Sequence, residues 1–436
     1  MKVERCGMKK ILLIIIDGMA DRPVPELGGQ TPLEVARTPN LDKLAARGMC
    51  GLQNAIPGGV YPTSEEAHLA IFGYDWQKDL PGRGVLEALG LGINVGKKDL
   101  VLRVDFGTVD EGMKVIDPRA GNIKSVKHFC EAIGDQKIGT LLFKLYPGLA
   151  HRAVLSISGD AVSHEISHHS TIVSDTDPHK AKVHRAGNKV LKPEPLDASE
   201  EAKITAKALW EYQILTHEIL DEYVENKVRK RTGHLPANFL LTRGAGFIKR
   251  VEPFHEKYHL NAACVAGAPL YKGIAKYLGM DVIDVKGATG GVDTDVFAKV
   301  EASLEKLNDG YDFVFMHLKG ADVVAEERGD FHAKMGFFEK ADKALGPLLK
   351  YKGIVCLTGD HATPCILSDH SDDPSPIMIV DGAAKRSDLG ASLRSDFKEG
   401  FSDSVKEFNE AACKKGILGH MKGSQIMPKL IKEAKS

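Results

Sequence analysis

The sequence predicts an α/β protein, a mostly parallel sheet with helices on both faces, interrupted by an inserted α+β domain. Three observations carry this. Strand-like apolar runs alternate with helix-period segments in the N- and C-terminal parts of the chain. The run ILLIII (11–16) is apolar at every position, as a strand buried on both faces requires. The stretch from about 99 to 238 breaks the alternation with short β-rich pieces and a polar loop. At 436 residues the chain is long enough for two or three domains.

The elements follow in order. The first strand is read over 9–16 and closes on Asp17-Gly18, the kind of strand end where α/β sheets gather ligands. In TPNLDKLAARG (38–48), Thr38 is placed as N-cap, Pro39 at the first helical position, Leu41, Leu44 and Ala45 on one face, and Gly48 as terminator. The middle contributes strands LVLRVDFGTV (100–109) and AVLSISG (153–159) and a helix over 200–230, with hinges near 78–84 and 243–251. Beyond it come a strand at 262–266, a helix through 272–278, a strand at 281–285 and a helix from about 294 to 307. The strand YDFVFMHL (311–318), a helix around 331–349 and the strand of GIVCLTGD (353–360) complete the series.

Composition narrows the function classes. Lys and Arg total 58 against 59 Asp and Glu, so no global field draws the chain to nucleic acid or an anionic membrane. The seven cysteines are scattered, odd in number and lack CxxC pairing, which favours a reducing, cytoplasmic setting over a disulfide framework or zinc ribbon. ILLIII is far too short to span a bilayer.

Charged residues cluster where strands end. Asp17 follows ILLIII, Asp322 follows YDFVFMHLKGA, Asp360-His361 follows GIVCLTG, and His370 lies nine residues beyond His361. Such residues are rarely placed at buried strand ends unless paired or bound to metal, although a single aspartate there is more often a turn former. With Ser64 they supply enough ligands for two ions, and mixed carboxylate and imidazole donors suit Mn²⁺ or Zn²⁺ better than Ca²⁺. In YPTSEEAHLAIFGYDW (61–76), Thr63 or Ser64 reads as a helix N-cap followed by acids, or Ser64 as a nucleophile at a helix N-terminus. Two ions about 4 Å apart would lower the pKa of that hydroxyl. There is no Gly-x-Ser-x-Gly elbow, and the glycine runs at Gly58 and Gly287 lack the Lys-Ser/Thr of a Walker loop.

IIIDGMADRP, TPNLDKLAARG, AHLAIFGYD, GRGVLEALGLGI, DPRAGNI, RGAG (243–246), LYKGIAKYLGM, GATGGVDTD, HLKGAD and TGDHATPCILSDHSDDPSPIMI follow one another in a familiar order. Over nearly its whole length the chain resembles the archaeal-type 2,3-bisphosphoglycerate-independent phosphoglycerate mutases, in the alkaline phosphatase superfamily. The resemblance implies an alkaline phosphatase-like domain in residues 1–80 and 246–436. That domain would hold two divalent metal ions, usually Mn²⁺, with Mg²⁺, Co²⁺ or Zn²⁺ as other occupants. Residues 81–245 would form an inserted substrate-binding (phosphotransferase) domain that closes over a small phosphorylated metabolite. The implied reaction interconverts 3-phosphoglycerate and 2-phosphoglycerate, in glycolysis and gluconeogenesis, through a phosphoserine on Ser64. Asp17, Asp360 and His361 match the ligands of the ion that also meets Ser64; Asp322 and His370 match ligands of the other ion. Arg119, Arg152 and Lys272 match groups that hold the substrate's carboxylate and phosphate.

Four segments depart from the family pattern. Thr63-Ser64-Glu65 replaces Gly-Ser-Asp, which raises the question of a backbone requirement for glycine before the serine. Glu326 stands where a metal-binding histidine is expected and offers oxygen, which suits Mn²⁺ or Mg²⁺. Arg103-Val104-Asp105 replaces Arg-Cys-Asn, and Asp117-Pro118-Arg119 replaces Asp-Arg-Arg. These keep two alternatives open: a phosphatase or phosphotransferase acting on another small phosphorylated metabolite, and a non-catalytic relative that binds metal or a phosphometabolite. The histidines of SHEISHHS (163–170) read as a solvated or substrate-edge loop, and NKVRKR (226–231) as a solvated helix end.

Overall fold

Ile11–Ile16 is buried at all six positions because it lies inside an eight-stranded sheet with helices against both faces. Across that sheet the order is Asp281–Val282, Ala262–Val265, Phe313–Leu318, Ile11–Ile16, Ile354–Thr358, Ser375–Asp381, Met49–Asn54 and Gly419–Lys422. Every strand runs parallel to the first except Ser375–Asp381, which is antiparallel to both neighbours. The computed structural model describes residues 7–57, 59, 61–159, 162, 173–176, 189–383 and 405–436, and SHEISHHS lies outside them. Among the described residues no helix is long and apolar enough to cross a membrane.

One face of the sheet presents Leu12, Ile14 and Ile16 to helices Pro39–Ala45, Val296–Asn308 and Phe331–Leu345, through Leu41, Leu44, Val300, Phe337 and Ala341. The other presents Phe313, Phe315 and His317 to Phe72 and His68 and to Tyr271 of the helix Pro269–Tyr277. Each fully buried isoleucine of the central strand contributes about 2 kcal/mol of apolar transfer. Register does the functional work. Ile16 is level with Leu318, and Ile15 with both His317 and Thr358, so the residues that follow these three strands emerge side by side.

Some boundaries differ from the sequence reading. Thr38 stands at the N-cap of Pro39–Ala45, but its side chain makes no capping bond. The Asp342 carboxylate caps instead, accepting from the backbone N–H of Asn40 and Leu41, each at 2.8 Å. Gly48 is set by close packing, since a Cβ there would lie 2.7 Å from the Ile379 carbonyl oxygen. The helix near 331–349 ends at Leu345 and continues as a 3₁₀ turn, Gly346–Lys350, where Pro347 has no N–H to extend the α-helix. The helix over 200–230 breaks at Tyr223, whose ψ of 131° is extended, into Glu200–Glu222 and Val224–Arg231. The strand predicted over 281–285 pairs through Asp281 and Val282 alone.

The described chain divides into two compact units, Met1–Asp79 with Val251–Ser436, and Leu80–Arg250. In the second, an antiparallel sheet runs Val115–Asp117, Leu100–Val109, Arg152–Ser158, Leu141–Pro147, Gln136–Ile138, with Phe239–Gly246 also paired to Leu100–Val109. The even positions Leu100, Leu102, Val104 and Phe106 pack with Phe129, Leu209 and Tyr212. Alternation sends Arg103 and Asp105 to the opposite side of the same buried strand.

Candidate active site

Ser64 opens the helix Ser64–Ile71, and the residue before it does the capping. Thr63 accepts from the Glu66 N–H at 3.4 Å, while Glu66 Oε2 accepts from the Thr63 N–H at 3.0 Å, a reciprocal capping box. The Ser64 hydroxyl is thereby left for other work; its oxygen lies 3.3 Å from His361 Nε2. Thr63 has φ −80° and ψ 156°, ordinary for any side chain, so this backbone has no need of glycine before the serine. Thr63→Ala should therefore lower stability by about 1 kcal/mol through loss of the cap. Chemical denaturation of both proteins measures this, and an unchanged midpoint would remove the cap from the account.

Around Ser64 the three strand ends converge. Asp17, Asp360 and His361 form one trio, and Asp322, His361 and His370 another, each with ligand atoms within 4.8 Å of one another. His361 Nε2 is 3.4 Å from both Asp17 Oδ1 and Asp360 Oδ2, and His370 Nε2 is 3.5 Å from Asp322 Oδ1. Asp17 Oδ1 and Asp360 Oδ2 are buried with no hydrogen-bond partner. A buried carboxylate oxygen without a partner is costly, and a hard divalent cation is the partner this donor set suits. The residues present thus fit metal ions.

Charge in the cluster is out of balance. Burial opposes ionisation of Asp17 and of Asp322, yet the Lys319 ammonium, 3.0 Å from one and 2.6 Å from the other, holds both carboxyls below the usual range. Asp360 has weaker support, from the Gly18 N–H at 3.1 Å and from Lys319 at longer range, and it is outweighed. Burial, then the charges of Asp17 and Asp322, push its carboxyl well above that range. Burial and the neighbouring His370 lower His361 to about 3, whereas the bond to Asp322 outweighs burial and raises His370 to about 9.

Glu326 lies one turn beyond Asp322 on the helix Gly320–Arg328 and, half-buried, is near enough to His370 to favour its protonation. It belongs to neither tight trio. Lys272 is not brought into the cluster either: its ammonium is bonded to the exposed Asp284 carboxylate at 2.6 Å.

Arg152 and Arg119 belong to the unit Leu80–Arg250. There Arg103 bonds Asp105 at 2.8 Å and Glu87 at 3.1 Å, Arg83 approaches Glu87 at 3.3 Å, and Arg243 approaches Asp105 at 3.2 Å. Arg152 sits among these charges, its Nε buried without a hydrogen-bond partner, and burial lowers its proton affinity. Arg83, Arg103, Arg152 and Arg243 thus gather around the buried carboxylates Glu87 and Asp105, and Arg119 is near His151 beside them. Guanidinium groups of this kind suit the bidentate recognition of anions. Asp105→Asn would leave Arg103 and Arg243 facing a neutral amide, with an expected loss of about 3–5 kcal/mol in unfolding free energy. Urea denaturation tests this; a loss within the range of surface substitutions would show that the pairs cancel their own desolvation.

Sequence reasoning missed several contributors. Lys319 bridges Asp17 and Asp322; Tyr271 donates its hydroxyl to Asp17 Oδ2; His68 Nδ1 lies 2.7 Å from the Ser64 carbonyl oxygen. Tyr271 and His317 stack with ring centroids 3.4 Å apart. The signals available were a lysine directly after a buried strand and imidazoles inside apolar runs, FMHL and AHLAIF.

The model of the metalloenzyme superfamily matches residues 9–433. A relative from Methanocaldococcus jannaschii, 2,3-bisphosphoglycerate-independent phosphoglycerate mutase 1, is 40% identical over 430 residues, spanning 97% of this chain and 96% of its own. The 2,3-bisphosphoglycerate-independent phosphoglycerate mutase of Pyrobaculum aerophilum is 38% identical over 432 residues, 97% of each chain. Among solved structures, the PH0037 protein of Pyrococcus horikoshii is similar at TM-score 0.78 and 32% identity, with 98% of each chain covered. The cofactor-independent phosphoglycerate mutase of Thermoplasma acidophilum is similar at TM-score 0.61 and 30% identity, covering 98% of this chain and 100% of that one. Divalent metal ions are implied by this superfamily, in keeping with the two trios and their partnerless carboxylate oxygens. With full-length likeness in sequence and fold on both sides, the chain belongs to the 2,3-bisphosphoglycerate-independent phosphoglycerate mutase family of metalloenzymes.

Proposed function

We propose that this chain interconverts 3-phosphoglycerate and 2-phosphoglycerate, with Ser64 carrying the phosphoryl group between the two hydroxyls of glycerate. The observation that carries the proposal is the Ser64 hydroxyl, released from capping by Thr63 and set 3.3 Å from His361 at the junction of the two trios.

In this reading Asp17, Asp360, His361 and Ser64 hold one divalent ion, and Asp322, His370 and Glu326 hold a second. Two bound ions, Mn²⁺ by preference, would neutralise phosphate charge and lower the pKa of the serine hydroxyl. The Ser64 oxygen attacks phosphorus as the bond to the C3 oxygen breaks, leaving phosphoserine and glycerate, whose C3 oxygen takes up a proton. The C2 hydroxyl then loses its proton as it attacks the phosphoserine, which restores the serine. The helix N-terminus behind Ser64 favours the anionic group, and the Lys319 ammonium, 15% exposed, supplies positive charge beside it. Arg119 and Arg152 hold the substrate's carboxylate and phosphate by bidentate contacts; Lys272, tied to Asp284, would have to exchange partners to join them. Cys130, Cys264, Cys356, Cys365 and Cys413 form no disulfide, which supports a reducing, cytoplasmic setting.

The test is an assay of the isolated chain with 3-phosphoglycerate across Mn²⁺, Mg²⁺, Co²⁺ and Zn²⁺. Formation of 2-phosphoglycerate without release of inorganic phosphate is the expected result. Phosphate release alone would make the chain a phosphatase on the same scaffold, and metal binding with neither product would make it a binding protein.

A further inference from the structure

The structure assigns a positioning role to Thr363, a buried residue outside both trios, whose hydroxyl fixes the nitrogen of His361 that is free for a metal and ties His361 to Asp322. This inference rests on the reading of the two trios as metal sites.

Thr363 Oγ1 donates to Asp322 Oδ1 at 2.9 Å and lies 3.2 Å from His361 Nδ1. A hydroxyl has one proton, and an ionised carboxylate accepts only. With that proton given to Asp322, the hydroxyl oxygen must accept from His361, so Nδ1 carries the N–H. A metal-binding imidazole is neutral and has a single N–H. The lone pair is therefore on Nε2, the nitrogen that faces Asp17, Asp360 and Ser64.

The hydroxyl is held in place from behind. The fully buried Lys334 ammonium donates to the Thr363 carbonyl at 2.9 Å, to the Ala20 carbonyl at 3.2 Å and to Asp21 Oδ2 at 2.8 Å. The Thr363 N–H donates to the Ala20 carbonyl at 3.1 Å. Gly18 gives the room: a Cβ on it would lie 2.5 Å from Thr363 Oγ1 and 2.8 Å from the Asp322 Cα, and its φ of +64° is one that L side chains rarely adopt. The chain of bonds from His361 through Thr363 to Asp322 joins a member of both trios to a member of one, so its loss should disturb both.

Calorimetric titration of the chelator-stripped full chain with Mn²⁺ tests the assignment through two substitutions with opposite predictions. Thr363→Val keeps the shape and removes the hydroxyl; its Mn²⁺ dissociation constants should rise about 10- to 100-fold. Thr363→Ser keeps the hydroxyl and loses a methyl group, and should bind nearly as the unchanged chain does. Equal binding by the valine variant, or weakening by serine as great as by valine, would overturn the assignment in favour of simple packing. Should the valine variant fail to fold, as metal-free melting would reveal, the serine variant still decides, because a packing role predicts its loss of affinity. If the unchanged chain takes up no Mn²⁺, the metal reading itself falls, and this inference with it.

Discussion

Ser64→Ala is expected to abolish mutase turnover, lowering kcat by about 10⁴-fold or more, because no phosphoserine can form at that position. The fold should survive. Thr63 and Glu66 cap the helix without help from the serine, and alanine is well tolerated at a first helical position, so the melting temperature should stay within a few degrees. Metal affinity should fall modestly, since the hydroxyl is proposed as one ligand among several. Rapid-quench trapping with phosphate-labelled substrate gives a second readout: label should appear on the unchanged chain and vanish in the alanine variant. Turnover that persists in Ser64→Ala would end the phosphoserine mechanism whatever the substrate.

Stripping divalent ions should have the second-largest effect, a complete and reversible loss of activity together with a lower melting temperature. The physical cause is the buried set Asp17, Asp322 and Asp360, whose mutual repulsion is offset within the described residues chiefly by Lys319 and His370. A ligand present at a hundred times its dissociation constant stabilises the native state by about 2.7 kcal/mol, so Mn²⁺ added back should raise the melting temperature by a few degrees. The dependence on pH has a definite sign. Asp360 holds its proton above the ordinary carboxylate range through burial and the charges of Asp17 and Asp322, and that proton must leave before a metal binds. Affinity should weaken as pH falls, and calorimetry in buffers of different ionisation enthalpy should detect proton release on binding. Affinity that does not change with pH would mean that Asp360 is already ionised or is no ligand.

The sheet was legible in the sequence because its strands are long apolar runs that end on polar residues. ILLIII and FVFMHL could hardly be anything else once helices alternate with them. The acidic and histidine residues at strand ends were legible for the same reason, since a charge after a buried strand needs a partner. What stayed hidden depends on register and distance. Nothing local marks Asp342 as the cap of a helix about 300 positions earlier, nor Tyr271 as a donor to Asp17. Thr63 illustrates the reverse: comparison with a family pattern suggested a backbone requirement, and its φ of −80° removes that requirement. Arg103 and Asp105 were seen as departures from a pattern, while their pairing in a buried strand follows from the two-residue period that sets them on one face.

The central strand also bears on how the molecule is made. Ile11–Ile16 pairs on one side with Phe313–Leu318 and on the other with Ile354–Thr358, so once this strand has left the ribosome it waits for partners about 300 and 340 residues further along the chain. Until then a hexapeptide of uninterrupted aliphatic residues has no sheet to enter, the kind of segment that pairs wrongly or aggregates. Leu80–Arg250 is continuous in the chain and can gather its own antiparallel sheet during that wait. Synthesis thus completes the inserted unit while the unit that encloses Ser64 is still missing its middle strands, and every ligand proposed for the ions comes together last, by the slow closure of a long loop.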